Sequence, residues 1–275
     1  MRLDQIKKIS FSKYNVLMSC GYRFLLSYIK WMEKDPSNTG ALYGLTVHET
    51  FEEWFTKGMP DGLEWLQQNY KTFYQEQQQK TKLTPDTKKN AELIDLIETS
   101  IPNLYLQLQK NGQLNKKTQV EVDVVHVEGG YVVSAKIDYL TIVNSNTAQI
   151  TDAKGYKNKD HIDKDQIVLY GYMVHKTLGI KNFVGSGYMC FFPKINEFIP
   201  VDISIADGKL YFNEMIHNYH TKVKNEEYDP KPSFQNCMLC DVYSKCQYRH
   251  YVKFKEKSAT PEQTILKLSN GKTSL

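Results

Sequence analysis

Two aspartates and a lysine near the middle of the chain are of the types that hold a divalent cation and handle a phosphate. Asp138 closes the segment Lys136-Ile137-Asp138, and Asp152 and Lys154 flank Ala153 behind the run Ile150-Thr151. Between the segments lies Asn144-Ser145-Asn146, a turn signal. A hairpin turning about Ser145 sets Asp138 directly opposite Asp152. Opposed residues share a face, with Cβ atoms roughly 4.5–5.5 Å apart. Two carboxylates that close repel each other unless something positive lies between them. Mg²⁺ suits the position, because it usually takes one or two carboxylates and completes its shell with water and phosphate oxygens. Lys154, two residues past Asp152, shares its face. The alternative is a pair of solvent-facing aspartates on an outer sheet face, and a single bulge would change the pairing.

Other candidates surround this hairpin. Gln166 and Tyr170 stand at i, i+4 on the helix that follows. His48 lies on a helix over about 40–57, along the stripe of Phe51 and Phe55, where a hydrogen-bonded core histidine is the alternative to a ligand. The stretch His48-Glu49-Thr50-Phe51-Glu52 is not a zincin helix, because Glu stands where the second His would be. Near the C-terminus, Cys237-x2-Cys240-x5-Cys246 is a compact ligand run, and Cys20 supplies a fourth thiol from the other end of the chain. Four thiolates suit either a Cys₄ zinc site or a [4Fe–4S] cluster. Buried free thiols are the bland alternative for these four. Cys190, inside an apolar strand run, reads as a plain core residue.

The elements that must position these groups follow from periodicity. Helical patterns cover about 10–32, 40–57, 64–79 and 86–110. In the second, Val47, Phe51, Trp54 and Phe55 make one buried face. The period then falls to two. Val120, Val122 and Val124 alternate with acids, Glu128-Gly129-Gly130 turns the chain, and strands follow over 131–143 and 147–154. A helix over about 163–178, apolar almost all round and therefore buried, ends at Gly179. Strand character returns at 183–192 and 198–203, and a helix over 208–224 precedes the cysteine loop. Helices, an antiparallel meander, a buried helix and more strands predict an α/β or α+β domain with helical additions.

Composition narrows the setting. The chain has 275 residues, 41% apolar and 24% charged, enough for a large core. Mean hydropathy is −0.52, and no window approaches the ~18 apolar residues of a membrane helix. The start, MRLDQIKKIS, is charged and lacks an apolar signal core, so a cytoplasmic, reducing setting is expected. Five cysteines there argue for ligand chemistry rather than disulfides. The net charge of +4 comes largely from the lysine-rich stretch 252–275, so any nucleic-acid surface must be local.

Taken in order, these features resemble the iron–sulfur branch of the PD-(D/E)xK nucleases, which includes RecB-type domains of the AddB kind and the CRISPR adaptation exonucleases. Ile9-Ser10-Phe11-Ser12, with Cys20 and Phe24, resembles the family's first-cysteine helix, although Gly21 stands where Pro is common. His48 matches its helical histidine. Lys136-Ile137-Asp138 matches its G-R-I-D segment, with Ala135 replacing Gly. Asp152-Ala153-Lys154 matches the (D/E)-x-K pair, with Thr151 in place of a hydrophobic residue. Gln166 and Tyr170 match the Q-x3-Y helix, and the cysteine triplet matches in spacing and position. The matches run in order over residues 9–246.

The resemblance implies a restriction-endonuclease-like α/β core, a mixed central sheet with an antiparallel meander flanked by helices. It implies one nuclease domain over 1–251, with a helical part over about 1–115, a catalytic core over about 116–230 and an Fe–S loop over about 231–251 closing onto Cys20. Residues 252–275 would be a basic, flexible tail. His48, Asp138, Asp152 and the Ala153 carbonyl would hold Mg²⁺ or Mn²⁺. Lys154 would orient or activate the attacking water and stabilise negative charge, with Gln166 and Tyr170 bracing Lys154 or the DNA backbone. Glu121 falls at the family's acidic position on the first strand, where an ordinary exposed glutamate is the alternative. Cys20, Cys237, Cys240 and Cys246 would hold a [4Fe–4S] cluster. The implied activity is a metal-dependent DNA exonuclease on single strands or ends, in recombination, repair or phage DNA processing. The alternative is a non-catalytic nucleic-acid-binding or assembly module on the same fold. No Walker-type phosphate loop occurs, so any helicase, recombination or annealing partner would be a separate protein.

Overall fold

A computed structural model of the chain describes residues 7–36, 38–156, 158–159, 162–238 and 240–249. The basic tail expected over 252–275 lies outside them. Strand β1 (Lys8–Ser10) leads into α1 (Phe11–Ser19), and a short α2 (Gly21–Phe24) continues as a wide turn over Leu25–Ile29. Helices α3 (Thr39–Thr56), α4 (Gly62–Thr81) and α5 (Thr87–Lys110) follow. Then come β2 (Thr118–Glu128), β3 (Tyr131–Asn144), β4 (Thr147–Lys154) and α6 (Lys164–Leu178). The chain continues through β5 (Asn182–Phe183), β6 (Gly187–Cys190), β7 (Glu197–Pro200), α7 (Ile205–Lys224) and α8 (Phe234–Met238). Among the described residues no helix is long and apolar enough to cross a membrane.

The described residues form two compact units, a larger one of Lys7–Phe11 and Pro36–His217 and a smaller one of Ser12–Asp35 and 218–249. The larger is a mixed α/β fold with a seven-stranded mixed sheet flanked by helices. Its main path runs β1-β3-β4-β6-β7, with β2 also on β3 and β5 on β4. The meander β2-β3-β4 is antiparallel, whereas β1 joins β3 and β6 joins β4 in parallel. The sequence pattern reads residues 10–32 as helical and misses β1. Three residues ahead of a helix are too few to show a period of two.

Each face of this sheet has its own cover. Leu42, Val47, Phe51 and Trp54 of α3 form one core with side chains of α4 and α5 and with Tyr139, Ala153 and Met189 of the sheet. Thr46 and Thr50 lie buried on the same helix. Their hydroxyls donate to the carbonyls of Leu42 and Thr46, at 2.8 and 2.7 Å, so no polar group is stranded there. Strand alternation turns Asp152 and Lys154 to the opposite face, where α6 packs. The middle of α6, Leu169 to Val174, is buried all round, as its sequence predicts, and its two ends are exposed. The Asp163 side chain caps it at the Asp165 N–H, and Gly179 ends it at φ +73°, a left-handed conformation that favours glycine.

In the smaller unit, Phe24 is fully buried and stacks on Tyr228 at 5.9 Å. The segment bearing the C-terminal cysteines is tied to residues 20–35 by ion pairs. Arg23 Nε and Lys34 Nζ each lie 2.9 Å from the Asp241 carboxylate. Asp35 accepts from the Ser244 N–H at 2.7 Å and from Lys245 Nζ at 2.8 Å.

Candidate active site

Strand β3 changes partner partway along one edge. Val132–Ser134 pairs with β1, and Tyr139–Asn144 pairs with β4. Asp138 stands at the fork between the two. Beyond the turn the β3–β4 register is the expected one, with Leu140 opposite Ile150 and Tyr139 opposite Thr151. The turn itself, however, pairs Asn144 with Thr147, and a shift between Ile142 and Asn144 brings the strands into that register. Backbone pairing ends at Tyr139↔Thr151, one position short of Asp138 and Asp152. The next contact uses a side chain, as Asp138 Oδ2 accepts from the Ala153 N–H at 2.8 Å. From there β4 runs with β6, placing Asp152 beside Tyr188 and Lys154 beside Cys190. The aspartates are therefore not on an outer sheet face; Asp152 is only 2% exposed.

Helix α3 delivers His48 to the same place. Its Nε2 lies 3.0 Å from the Ala153 carbonyl oxygen and its Nδ1 lies 3.6 Å from Asp138 Oδ2. On the α6 side, Gln166 Nε2 donates to Asp152 Oδ1 at 3.2 Å and to the Tyr170 hydroxyl at 2.7 Å. Gln166 and Tyr170, expected to brace Lys154 or the DNA backbone, stand beside Asp152 here. Gln166 contacts Asp152, and Tyr170 is reached through Gln166, because the first turn of α6 lies over that carboxylate. Lys154 Nζ sits 2.5 Å from Asp152 Oδ2, yet no hydrogen-bond donor of the described protein is well directed at that buried oxygen.

Burial and the Asp152 charge push the Asp138 carboxyl well above the ordinary carboxylate range, against the opposing pull of His48 and Lys154. Burial works against the Lys154 ammonium, but the Asp152 and Asp138 carboxylates outweigh it and raise its pKa further. Burial and Asp152 likewise raise the Tyr170 phenol. Lys154 is thus a fixed cation at neutral pH.

Glu121 belongs to the same group. It falls between the pairs Val120↔Tyr139 and Val122↔Ile137, hence opposite Asp138. Its φ of +51° is left-handed, a conformation that costs a non-glycine residue roughly 1–3 kcal/mol and gathers at functional sites. Ligand atoms of Glu121, His48 and Asp138 lie within 4.8 Å of one another, and Lys136 Nζ closes on Glu121 Oε2 at 2.6 Å. Alternation alone gave no sign of this local twist.

The departure at Thr151 has a structural reason. Its buried hydroxyl donates to Gln113 Oε1 at 2.8 Å, and Gln113 Nε2 donates to the Thr141 hydroxyl, which meets that of Thr118. A hydrophobic residue at position 151 would leave Gln113 unsatisfied.

The family model for the PD-(D/E)XK nuclease superfamily matches residues 8–251 of this chain. The chain belongs to that superfamily. Two solved structures are similar to this PD-(D/E)XK protein. One is a candidate exonuclease from Eubacterium rectale, 16% identical, covering 97% of this chain and 94% of that one at a TM-score of 0.49. The other is SSO0001, 13% identical, covering 58% of this chain and 74% of that one at a TM-score of 0.32. No curated protein matches the chain.

Nucleases of this superfamily use divalent cations, and this chain's donor set fits one. Carboxylates, an imidazole and a backbone carbonyl converge at the fork, and the buried Asp152 Oδ2 lacks a directed donor.

In the smaller unit of this PD-(D/E)XK protein, Cys20, Cys237, Cys240 and Cys246 line one cavity. Lys231 N–H points at Cys20 Sγ from 3.5 Å. Burial and the neighbouring Cys20 and Cys237 raise the Cys246 thiol, and burial pushes the Cys240 thiol up to about 11. Gly21 makes the approach possible. A Cβ there would lie 2.7 Å from Tyr228 Cα and 2.8 Å from Asp229 N, both backbone atoms. Cys190 lies apart in the sheet core, 1% exposed.

Proposed function

We propose that this protein is a Mg²⁺- or Mn²⁺-dependent DNA exonuclease acting on single strands or DNA ends. It carries a structural [4Fe–4S] cluster on Cys20, Cys237, Cys240 and Cys246 and serves DNA recombination, repair or phage DNA processing. The observation that carries the reading is the fork itself. Asp138, Asp152, the Ala153 carbonyl and His48 meet there beside a lysine held as a cation, on a superfamily nuclease fold.

Asp138, Asp152, the Ala153 carbonyl and His48 would hold the divalent ion, with Glu121 reaching in from β2. When bound, the ion supplies a water of lowered pKa and offsets charge on the phosphate. Gln166 fixes Asp152 by occupying its Oδ1. The Lys154 ammonium orients the attacking water by donating to it and stabilises negative charge as it develops on the phosphate oxygens. The four thiols around one cavity, joined across 211 residues by the Lys231–Cys20 contact, support the cluster as a long-range staple. A separate helicase, recombination or annealing protein would recruit the enzyme to its DNA, in the cytoplasm.

Labelled linear and circular single-stranded DNA, incubated with Mg²⁺, Mn²⁺ or EDTA, test this reading. Linear DNA is expected to be degraded with either metal and spared in EDTA, and circular DNA to persist. Rapid cutting of circles would make the enzyme an endonuclease. Purified protein is expected to be brown, with iron and sulfide bound. Colourless protein with stoichiometric zinc would refute the cluster.

A further inference from the structure

A lysine that orients water must hold its ammonium still, yet it sits on a flexible four-carbon stem with rotatable donors. At Lys154 one restraint is the Asp152 carboxylate. That same carboxylate is a ligand for the cation in the function proposed above, and a charge shared with a metal holds an ammonium less firmly. Two further restraints carry no charge. Lys154 Nζ lies 5.9 Å from the centroid of the Tyr156 ring and 5.9 Å from that of the Tyr188 ring. Both fall within the ~6 Å at which a ring face attracts a cation.

The Tyr188 ring is itself fixed. Tyr188 is fully buried, neighbours Asp152 in the β4–β6 register, and donates its hydroxyl to the Asp163 carbonyl at the start of α6, at 2.5 Å. Tyr156 is 39% exposed, at the edge of the site. The path from Lys154 to Tyr156 is set by Gly155. A Cβ there would meet the Tyr43 ring at 2.7 Å and the Phe191 ring at 3.1 Å, so the backbone presses onto the core at this one residue.

We propose that Tyr156 and Tyr188 are positioning residues that clamp the Lys154 ammonium between their rings, independently of Asp152. The proposal rests on the nuclease reading of Lys154 given above. In this role the tyrosines act through the lysine.

Steady-state cleavage of linear single-stranded DNA by Tyr156→Phe, Tyr156→Leu, Tyr188→Phe and Tyr188→Leu tests it, beside wild type and Lys154→Ala. Each Phe variant keeps its ring and is expected to keep kcat. Each Leu variant is expected to lose about 2- to 30-fold in kcat at unchanged KM, the range of a cation–π contact. In EDTA, acetylation of Lys154 by acetic anhydride, which releases acetate and a proton and is read by mass spectrometry, is expected to be faster in Tyr156→Leu than in Tyr156→Phe. Wild-type kcat and acylation rate in Tyr156→Leu would overturn the clamp, as would a loss confined to KM. A Tyr188→Phe variant as impaired as Tyr188→Leu, with an equal drop in melting temperature, would reassign Tyr188 to structure, leaving Tyr156 to decide. An active Lys154→Ala enzyme would instead overturn the nuclease reading.

Discussion

Asp138 sits where opposing influences meet, with burial and Asp152 acting against His48 and Lys154. Burial and the Asp152 charge raise its pKa on folding. A carboxyl raised in this way contributes stability at acid pH and loses it as pH climbs through the folded value. Asp138→Asn removes that loss while keeping an acceptor for the Ala153 N–H. In urea unfolding of EDTA-treated protein, the variant is expected to gain on wild type near neutral pH and much less at mildly acidic pH. Thr151 offers a test away from catalysis. Thr151→Val strands the buried Gln113 carbonyl and should cost about 1–3 kcal/mol by the same measurement. At this scale the sequence was informative where spacing carries chemistry. Asp138, Asp152, Lys154, His48 and Gln166 all arrive at one fork. Three things were hidden in it: the left-handed turn at Glu121, the Gln113 partner of Thr151, and the Tyr188 ring against Lys154. Each depends on contacts between strands or across loops, which no local period records.

The elements explain why the fork exists. The turn pairs Asn144 with Thr147, a register shift between Ile142 and Asn144 then sets the pairing through to Tyr139↔Thr151, and beyond it the strands take different partners. Alternation made the strands legible, whereas the bulge next to the turn, which sets their register, was not. Nor was the point of divergence, because β1 is three residues long and β6 comes after the helix α6. Gly21 was legible only as a departure from Pro. The structure makes it a requirement, since the backbone of Tyr228 and Asp229 occupies the place of a Cβ. Gly21→Ala is therefore expected to displace residues 228–232 from Cys20. The measurement is iron bound per chain, which should fall well below wild type. Full iron content would show that the approach of this backbone to Cys20 is not needed.

For the molecule as a whole, two compact units divide the work. The larger carries the fork with its carboxylates and lysine, and the smaller gathers four cysteines from both ends of the chain. Net charge contributes little to this division, since most of the excess falls in residues 252–275. The cysteine loop is held by its own ion pairs of Arg23 and Lys34 with Asp241, and by Asp35 with Ser244 and Lys245. Asp241→Ala leaves Arg23 and Lys34 without their anion and is expected to hasten iron release under a chelator, with DNA cleavage by still-loaded protein unchanged. If the fork is a metal-dependent nuclease site, removing either Asp152 or Lys154 abolishes cleavage without unfolding the protein. Wild type, Asp152→Ala and Lys154→Ala are incubated with end-labelled single-stranded DNA in Mn²⁺, their folding checked by circular dichroism. Cleavage by wild type alone, with all three equally folded, is the expected result; full activity in Asp152→Ala would contradict the account.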